Sequence, residues 1–167
     1  MYKEQIEILD AWKNFLSEIE TKMQLSIKTI LNETKELKNI HAMFFEYEYN
    51  DMDLMFWALD KKENVLFKKL DILNGKINGK HLFPNDLMER QMDIDDEYDG
   101  EDDNYDDFRD EYSEEKEEIF KKWFMLCWDN IKEEYKNIPE VYFSIHDTNW
   151  KTNLNTKGII EHDNIFK

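Results

Sequence analysis

The sequence predicts an α+β fold, in which an antiparallel sheet built around a hairpin packs against two amphipathic helices and carries an acidic loop. Two periodicities indicate this class. Apolar residues recur every three or four positions near the N-terminus and again after residue 113, which is typical of helices with one buried face. Residues 43–49, 54–59 and 141–145 show the alternating or continuous apolar patterns of strands. We find no internal repeat.

The length of 167 residues suits a single domain over residues 1–167. A domain of about 150 residues buries about 70% of the surface that its unfolded chain exposes. Hydrophobic residues make up 41% of the chain and aromatic residues 14%, whereas disordered chains are poor in large apolar side chains. We therefore expect most of the chain to fold around one core.

The first helix is predicted by an apolar stripe near the N-terminus. Its members lie three or four residues apart: Ile6, Leu9, Trp12, Leu16, Ile19 and Met23. The stripe continues to Leu37, so the pattern fits one long helix or two shorter helices separated by a break within residues 21–26.

The hairpin is predicted from residues 43–59. The side chains of Met43, Phe45, Tyr47 and Tyr49 fall on one face of the first strand. The turn residues Asn50 and Asp51 follow, and Leu54–Leu59 returns as an almost wholly apolar strand, which we expect to be the more interior of the two. Residues 65–73 match a third strand or a short helix, and we favour a strand.

A second strong helix is predicted to begin at Ser113, a residue type favoured at helix N-caps. Its apolar stripe contains Ile119, Phe120, Trp123, Phe124, Cys127, Trp128, Ile131 and Tyr135. Pro139 ends this segment, because the residue before a proline avoids helical geometry. A further strand follows at residues 141–145, and Trp150 and Leu154 are predicted to anchor the polar tail to the core.

The acidity of the protein is concentrated in one segment. Residues 93–118 contain 16 Asp and Glu against two basic residues, a net charge of −14 out of the formal −17 of the whole chain. We assign residues 93–112 to an acidic loop or insertion within the domain. Such a field repels phosphate backbones and anionic membranes, so we expect no direct nucleic-acid or membrane binding.

Three interpretations of the acidic run remain open. A solvated, disordered loop is common for dense like charges. A calcium loop is a partial match, because Asp95, Glu97, Asp99, Gly100 and Asp106 occupy positions 1, 3, 5, 6 and 12 of an EF-hand. A protein-binding surface is indicated by aromatic residues placed among the acids. The predicted partner-binding residues are Asp95, Asp96, Glu97, Tyr98, Asp99, Glu101, Asp102, Asp103, Tyr105, Asp106, Asp107 and Phe108.

Other candidate chemistry is sparse in the sequence. Cys127 is the only cysteine, so neither an intramolecular disulfide nor a thiolate zinc cluster can form from this chain alone, and we expect an inert core thiol. The pair His146 and Asp147 has acid-base character at a strand end, although an ordinary surface histidine is far commoner. Phosphate-binding glycine motifs are missing, so we predict no cofactor, no metal site and no enzyme.

The chain has no run of 18 apolar residues, and its opening residues lack a signal-peptide pattern. We therefore expect a cytoplasmic protein of unknown oligomeric state.

Four segments together resemble small bacterial immunity proteins of toxin-immunity systems. They are the N-terminal helix with Trp12, the hairpin HAMFFEYEYNDMDLMFWALD, the helix IFKKWFMLCW and the strand VYFSIHDTNW. The likeness covers most of the chain and rests on element order and aromatic placement. It implies a non-catalytic inhibitor that binds a cognate toxin, often through an acidic surface when the toxin is a basic nuclease.

The leading functional prediction is therefore an inhibitory binding protein whose acidic surface occupies a basic partner, such as a toxin or nuclease. A phage-encoded acidic mimic of DNA that blocks a host nuclease is the first alternative. A calcium-binding module and an enzyme that uses His146 are the others.

Overall fold

The N-terminal segment of the computed structural model is one continuous helix, α1 (Lys3–Thr34). The structure describes residues 1–48, 53–70, 72–73, 77, 81–98, 100, 104–146 and 148–167. The long-helix alternative is therefore confirmed. Leu9, Trp12 and Leu16 of the predicted stripe are buried, whereas Ile6 is 48% exposed and its neighbour Ile8 is buried in its place. The indole of Trp12 donates a hydrogen bond of 2.7 Å to the carbonyl oxygen of Leu82.

One six-stranded sheet forms the second layer in the described part of the chain. Its strands are β1 (Ala42–Glu48), β2 (Asp53–Leu59), β3 (Val65–Lys69), β4 (Glu140–Ile145), β5 (Trp150–Asn153) and β6 (Ile159–Glu161). They lie in the order β3-β2-β1-β4-β5-β6, and only the central pair β1 and β4 is parallel. The predicted α+β class, the antiparallel pairing of the two hairpin strands and the third strand are confirmed, while Tyr49 and the turn residues Asn50 and Asp51 lie outside the described residues. The expected burial of the hairpin is wrong, because β1 lies inside the sheet and is more buried than β2.

Two further helices contain most of the acidic run. The helix α2 (Asn85–Tyr98) ends within it, and α3 (Tyr105–Asp129) begins eight residues before the predicted start at Ser113. The assignment of residues 93–112 to a loop is therefore corrected, since residues 93–98 and 105–112 are helical. The physical reason is that buried aromatic residues in this segment offset the repulsion between its carboxylates, as described below.

The core lies between the sheet and the parallel helices α1 and α3. Their direction follows from the ends, where the N-terminal amine of Met1 lies 2.8 Å from Glu111 and Lys28 pairs with Glu134. The α3 helix packs on the centre of the sheet, because Phe120 stacks on Tyr47 of β1 at 4.0 Å and Phe124 stacks on Phe143 of β4 at 5.1 Å. The stripe predicted for the second helix is buried throughout, including Cys127, whose thiol pKa is raised by burial. Its last two members, Ile131 and Tyr135, lie beyond the end of α3, which stops before the predicted end at Pro139.

The tail completes the sheet and returns to its other face. After β5 and β6, the short helix α4 (His162–Ile165) places Phe166 near Phe44 and His41. Leu154 is fully buried, so its predicted anchoring role is confirmed, whereas Trp150 is 57% exposed and does not anchor the tail. Among the described residues, no helix has the length and apolar character needed to cross a membrane.

Candidate partner-binding surface

The predicted binding residues are divided between the facing ends of two helices. Asp95, Asp96, Glu97 and Tyr98 form the last turn of α2, and Tyr105, Asp106, Asp107 and Phe108 form the first turn of α3. Asp99, Glu101, Asp102 and Asp103 lie outside the described residues. We call the eight described residues the acidic tip. The fold brings both halves of the tip to the same end of the molecule, beside the N-terminus of α1.

The aromatic members of the acidic tip face inwards. Tyr98 stacks on Tyr2 with ring centroids 4.3 Å apart, and Phe108 meets the same ring edge-on at 5.0 Å. Tyr105 is 2% exposed, and its hydroxyl donates a hydrogen bond of 2.5 Å to Asp95 Oδ1. Through these contacts, α2 and α3 pack against each other and against the start of α1. The buried Tyr105 cannot supply the partner contact that the sequence suggested for it, since its ring is already inside the fold.

A buried cation lies beneath the acidic tip. Lys116 of α3 is 3% exposed, and its ammonium lies 3.6 Å from the ring centroid of Phe83 and 5.9 Å from that of Trp12. Burial lowers the pKa of Lys116 to about 8, while the negative charge of Asp95 acts in the opposite direction. Asp95 also accepts a hydrogen bond of 2.6 Å from Gln91, so its carboxylate belongs to the internal packing of the tip.

The remaining carboxylates of the tip are exposed. They are Asp96 and Glu97 on α2 and Asp106 and Asp107 on α3. The two on α3 lie at a helix N-terminus, where the helix dipole favours negative charge. The two on α2 lie at a helix C-terminus, where the dipole disfavours negative charge, and no basic residue occupies the last turn of α2. A cationic partner would remove this unfavourable interaction.

The calcium interpretation conflicts with the local backbone. Asp95 and Glu97, the first two candidate ligands, belong to the regular helix α2, and Asp95 is occupied by Tyr105 and Gln91. Asp99 lies outside the described residues, and Gly100 adopts a φ of 78°, the left-handed value that glycine tolerates. No group of three or more His, Cys, Asp or Glu placed to hold a metal ion occurs within the described residues.

His146 lies on the sheet face that is turned away from α1 and α3. Its Nδ1 is 2.8 Å from Glu46 Oε1, and its Nε2 is 3.1 Å from Glu48 Oε2, so carboxylates contact both ring nitrogens. Beside them, Lys151 donates hydrogen bonds to the hydroxyl of Ser144 at 3.1 Å and to the carbonyl oxygen of Thr148 at 2.9 Å. Burial lowers the pKa of Lys151, and the carboxylate of Glu46 raises it. Asp147, the predicted acid-base partner, lies outside the described residues.

Sequence reasoning missed the carboxylates around His146. The alternation of β1 places Glu46 and Glu48 on one face, and the parallel register pairs Glu46 with Ser144. The alternation was visible in the sequence, but the pairing of β1 with β4 was not, because 98 residues separate Glu46 from Ser144. The side chains of this cluster join β1, β4 and β5 through ion pairs and hydrogen bonds on the sheet face that is turned away from α1 and α3.

The chain matches no protein-family model, no curated protein and no solved structure. The resemblance to immunity proteins therefore stays a prediction.

Proposed function

We propose that the protein is a non-catalytic inhibitory binding protein of the cytoplasm, which neutralises a basic partner, such as a nuclease-type toxin, through the exposed carboxylates of the acidic tip. The observation that carries the proposal is the pair of acids at the C-terminus of α2. Asp96 and Glu97 stand against the dipole of their own helix and are exposed. A cationic surface placed there would interact favourably with these carboxylates and also with the negative end of the helix dipole.

The packing of the tip against the rest of the fold supports the same function. Three aromatic residues, Tyr98, Tyr105 and Phe108, hold the carboxylates on packed helices. A rigid charged surface loses little conformational entropy on binding, and its field raises the rate at which an oppositely charged partner is encountered. The mechanism would be occlusion, in which carboxylates occupy the groove that receives phosphates in a nuclease. We propose toxin immunity as the biological setting because the order of the helices and strands resembles that of small bacterial immunity proteins.

The test compares two triple variants with the same loss of charge. The first neutralises the tip through Asp96→Asn, Glu97→Gln and Asp107→Asn. The second, a matched control, neutralises exposed acids elsewhere through Glu18→Gln, Glu36→Gln and Asp163→Asn. Each tagged protein is used to capture partners from producing cells at low and high salt, and captured proteins are identified by mass spectrometry.

At low salt the wild type and the control should retain the same basic protein. The tip variant should lose it, because the encounter is driven by attraction between exposed charges, which salt screens. Co-expression should then relieve the growth defect that the captured protein causes. Retention of that protein by the tip variant would contradict the proposal. A captured protein that degrades foreign DNA and causes no growth defect would point instead to the DNA-mimic alternative.

A further inference from the structure

The sheet is wider than the helical layer that covers it. Neighbouring strands lie about 4.8 Å apart, so six strands span about 24 Å, whereas two packed helices cover about 20 Å. The α1 helix reaches the β3 side, where Glu33 meets Lys69 at 3.4 Å, and α3 lies over β1 and β4. Trp150 of β5 and Ile159 of β6 therefore lie past α3 with their side chains uncovered, whereas Thr152 of β5 is buried.

Two large apolar side chains lie on this uncovered face. Trp150 is 57% exposed and Ile159 is 63% exposed. Both lie on the helix side of the sheet, because Thr152 pairs with Phe143 on one side and with Ile159 on the other, and Trp150 precedes Thr152 by two residues. Together with α3 they enclose a groove of about 200 Å³, which we call the Trp150 groove. Its accessible lining includes Glu117, Glu118, Lys121, Ile145, Trp150 and Ile159.

The α3 wall of the Trp150 groove carries two carboxylates, Glu117 and Glu118, against one cation, Lys121. Burial raises the pKa of Glu117, and the neighbouring carboxylates of Glu114 and Glu118 raise it further. Glu118 is shared between Lys121 at 3.7 Å and Lys122 at 3.6 Å. A cation placed beside Glu117 would relieve the repulsion among these carboxylates, so the wall favours a positively charged group.

The size of the groove distinguishes between classes of ligand. Small-molecule pockets usually enclose about 300–1,000 Å³, and the Trp150 groove is smaller and open. An exposed tryptophan bordered by charged residues is typical of the anchoring part of a protein interface. The combination of an apolar strip and an acidic wall thus fits a protein segment in which an apolar side chain stands next to Arg or Lys.

We propose that the Trp150 groove docks a segment of a basic partner protein, which inserts an apolar side chain between Trp150 and Ile159 and places Arg or Lys beside Glu117. The inference rests on the proposed function and adds an anchoring contact that the buried Tyr105 of the acidic tip does not provide. Asp107 and Glu118 are 11 residues apart on α3, or about 16 Å. One interface of standard size, about 800 Å² on each partner, reaches from the tip to the groove.

The experiment uses two synthetic peptides with the same number of arginines. One is oligoarginine, and the other alternates arginine with leucine and phenylalanine. Fluorescence anisotropy of the labelled peptides gives Kd for the wild type, Trp150→Ala, Ile159→Ser and the control Leu126→Ala. Leu126 is the matched control because it is also half exposed, at 50%, and lies on α3 outside the Trp150 groove. All substituted side chains are exposed, and circular dichroism checks that each variant is folded.

The apolar-basic peptide should bind the wild type at least tenfold more tightly than oligoarginine. Trp150→Ala and Ile159→Ser should each remove most of that gain and leave oligoarginine binding unchanged, while Leu126→Ala should retain the gain. If oligoarginine binds but the gain is missing or survives Trp150→Ala, the groove proposal is overturned and the proposed function stands. If neither peptide binds, both are overturned. A wild-type dimer that Trp150→Ala converts to a monomer would make the groove a self-association site and would also overturn the proposal.

Discussion

Lys116 places a positive charge inside the protein, directly below its most negative surface. The pKa of this lysine is lowered from 10.5 to about 8 by burial, so between pH 8 and pH 10.5 the unfolded chain binds a proton that the folded protein has released. The contribution of Lys116 to the free energy of unfolding therefore rises with pH across this window, and the full gap corresponds to about 3 kcal/mol at 1.36 kcal/mol per pKa unit. Below pH 8 the folded protein holds a charged, buried lysine.

Replacing Lys116 with methionine tests this balance. Lys116→Met keeps a similar apolar volume without the charge, and such replacements of buried charges are often neutral or stabilising by about 1–4 kcal/mol. We expect the stability of the variant relative to the wild type to be greatest near pH 7 and to fall by about 2 kcal/mol or more as the pH rises to 10. Urea denaturation at several pH values measures the difference, and parallel pH profiles of the two proteins would contradict the expectation.

The sequence predicts the burial of some side chains better than that of others. The core positions of α1 and α3 follow from spacing alone, because a helix buries every third or fourth residue regardless of its partner. The predicted partner contact of Tyr105 is wrong, since an aromatic residue among acids can face solvent or core, and its hydrogen bond to Asp95 places it in the core. The predicted anchoring role of Trp150 is wrong, because none of the described helices covers its end of β5 and its side chain is 57% exposed.

At the level of elements, α2 carries carboxylates at its C-terminal end and α3 carries carboxylates at its N-terminal end, so the two helix dipoles act on them with opposite sign. Glu97→Gln removes a negative charge from a C-terminus and should raise the thermal midpoint, whereas Asp107→Asn removes one from an N-terminus and should lower it. Each change is worth about 0.3–1 kcal/mol at low salt, which is about 1–3 °C for a protein of this size. Differential scanning calorimetry at low ionic strength measures both, and shifts of the same sign would contradict the dipole argument.

The start of α3 lies eight residues before the start that the sequence predicts at Ser113. The density of like charges favoured a loop, yet Tyr105, Phe108 and Tyr112 continue the helical spacing of Ile119 and Phe120 back through Lys116. That spacing was a usable signal. The prediction of a loop gave more weight to the charge than to this spacing. Repulsion between exposed carboxylates is in fact weak compared with the burial of two tyrosines, and both Tyr105 and Tyr112 are 2% exposed.

For the molecule as a whole, the net charge of −17 makes stability depend on salt. Raising the ionic strength from 0.01 M to 0.15 M shortens the screening length from about 30 Å to about 8 Å, which weakens repulsion across the tip. The thermal midpoint of the wild type should therefore rise with sodium chloride. The rise should be smaller in the tip variant (Asp96→Asn, Glu97→Gln, Asp107→Asn) than in the control variant (Glu18→Gln, Glu36→Gln, Asp163→Asn), although both lose three charges. Equal salt dependence in the two variants would show that the repulsion is spread over the whole surface.

The parallel pair at the centre of the sheet has a consequence for biosynthesis. The pairing of β1 with β4 joins positions 98 residues apart, so β1 has a free edge until the second half of the chain has been made. At about 5–20 residues per second, translation of about 100 residues takes about 5–20 s. Until Phe120 and Phe124 of α3 have been made, the inner face of β1 with Phe45 and Tyr47 lacks the side chains that cover it, and its edge stays unpaired until β4 follows. We therefore expect the unpaired edge of β1 to be the part of the nascent chain most prone to aggregation, and slower translation to lengthen its exposure.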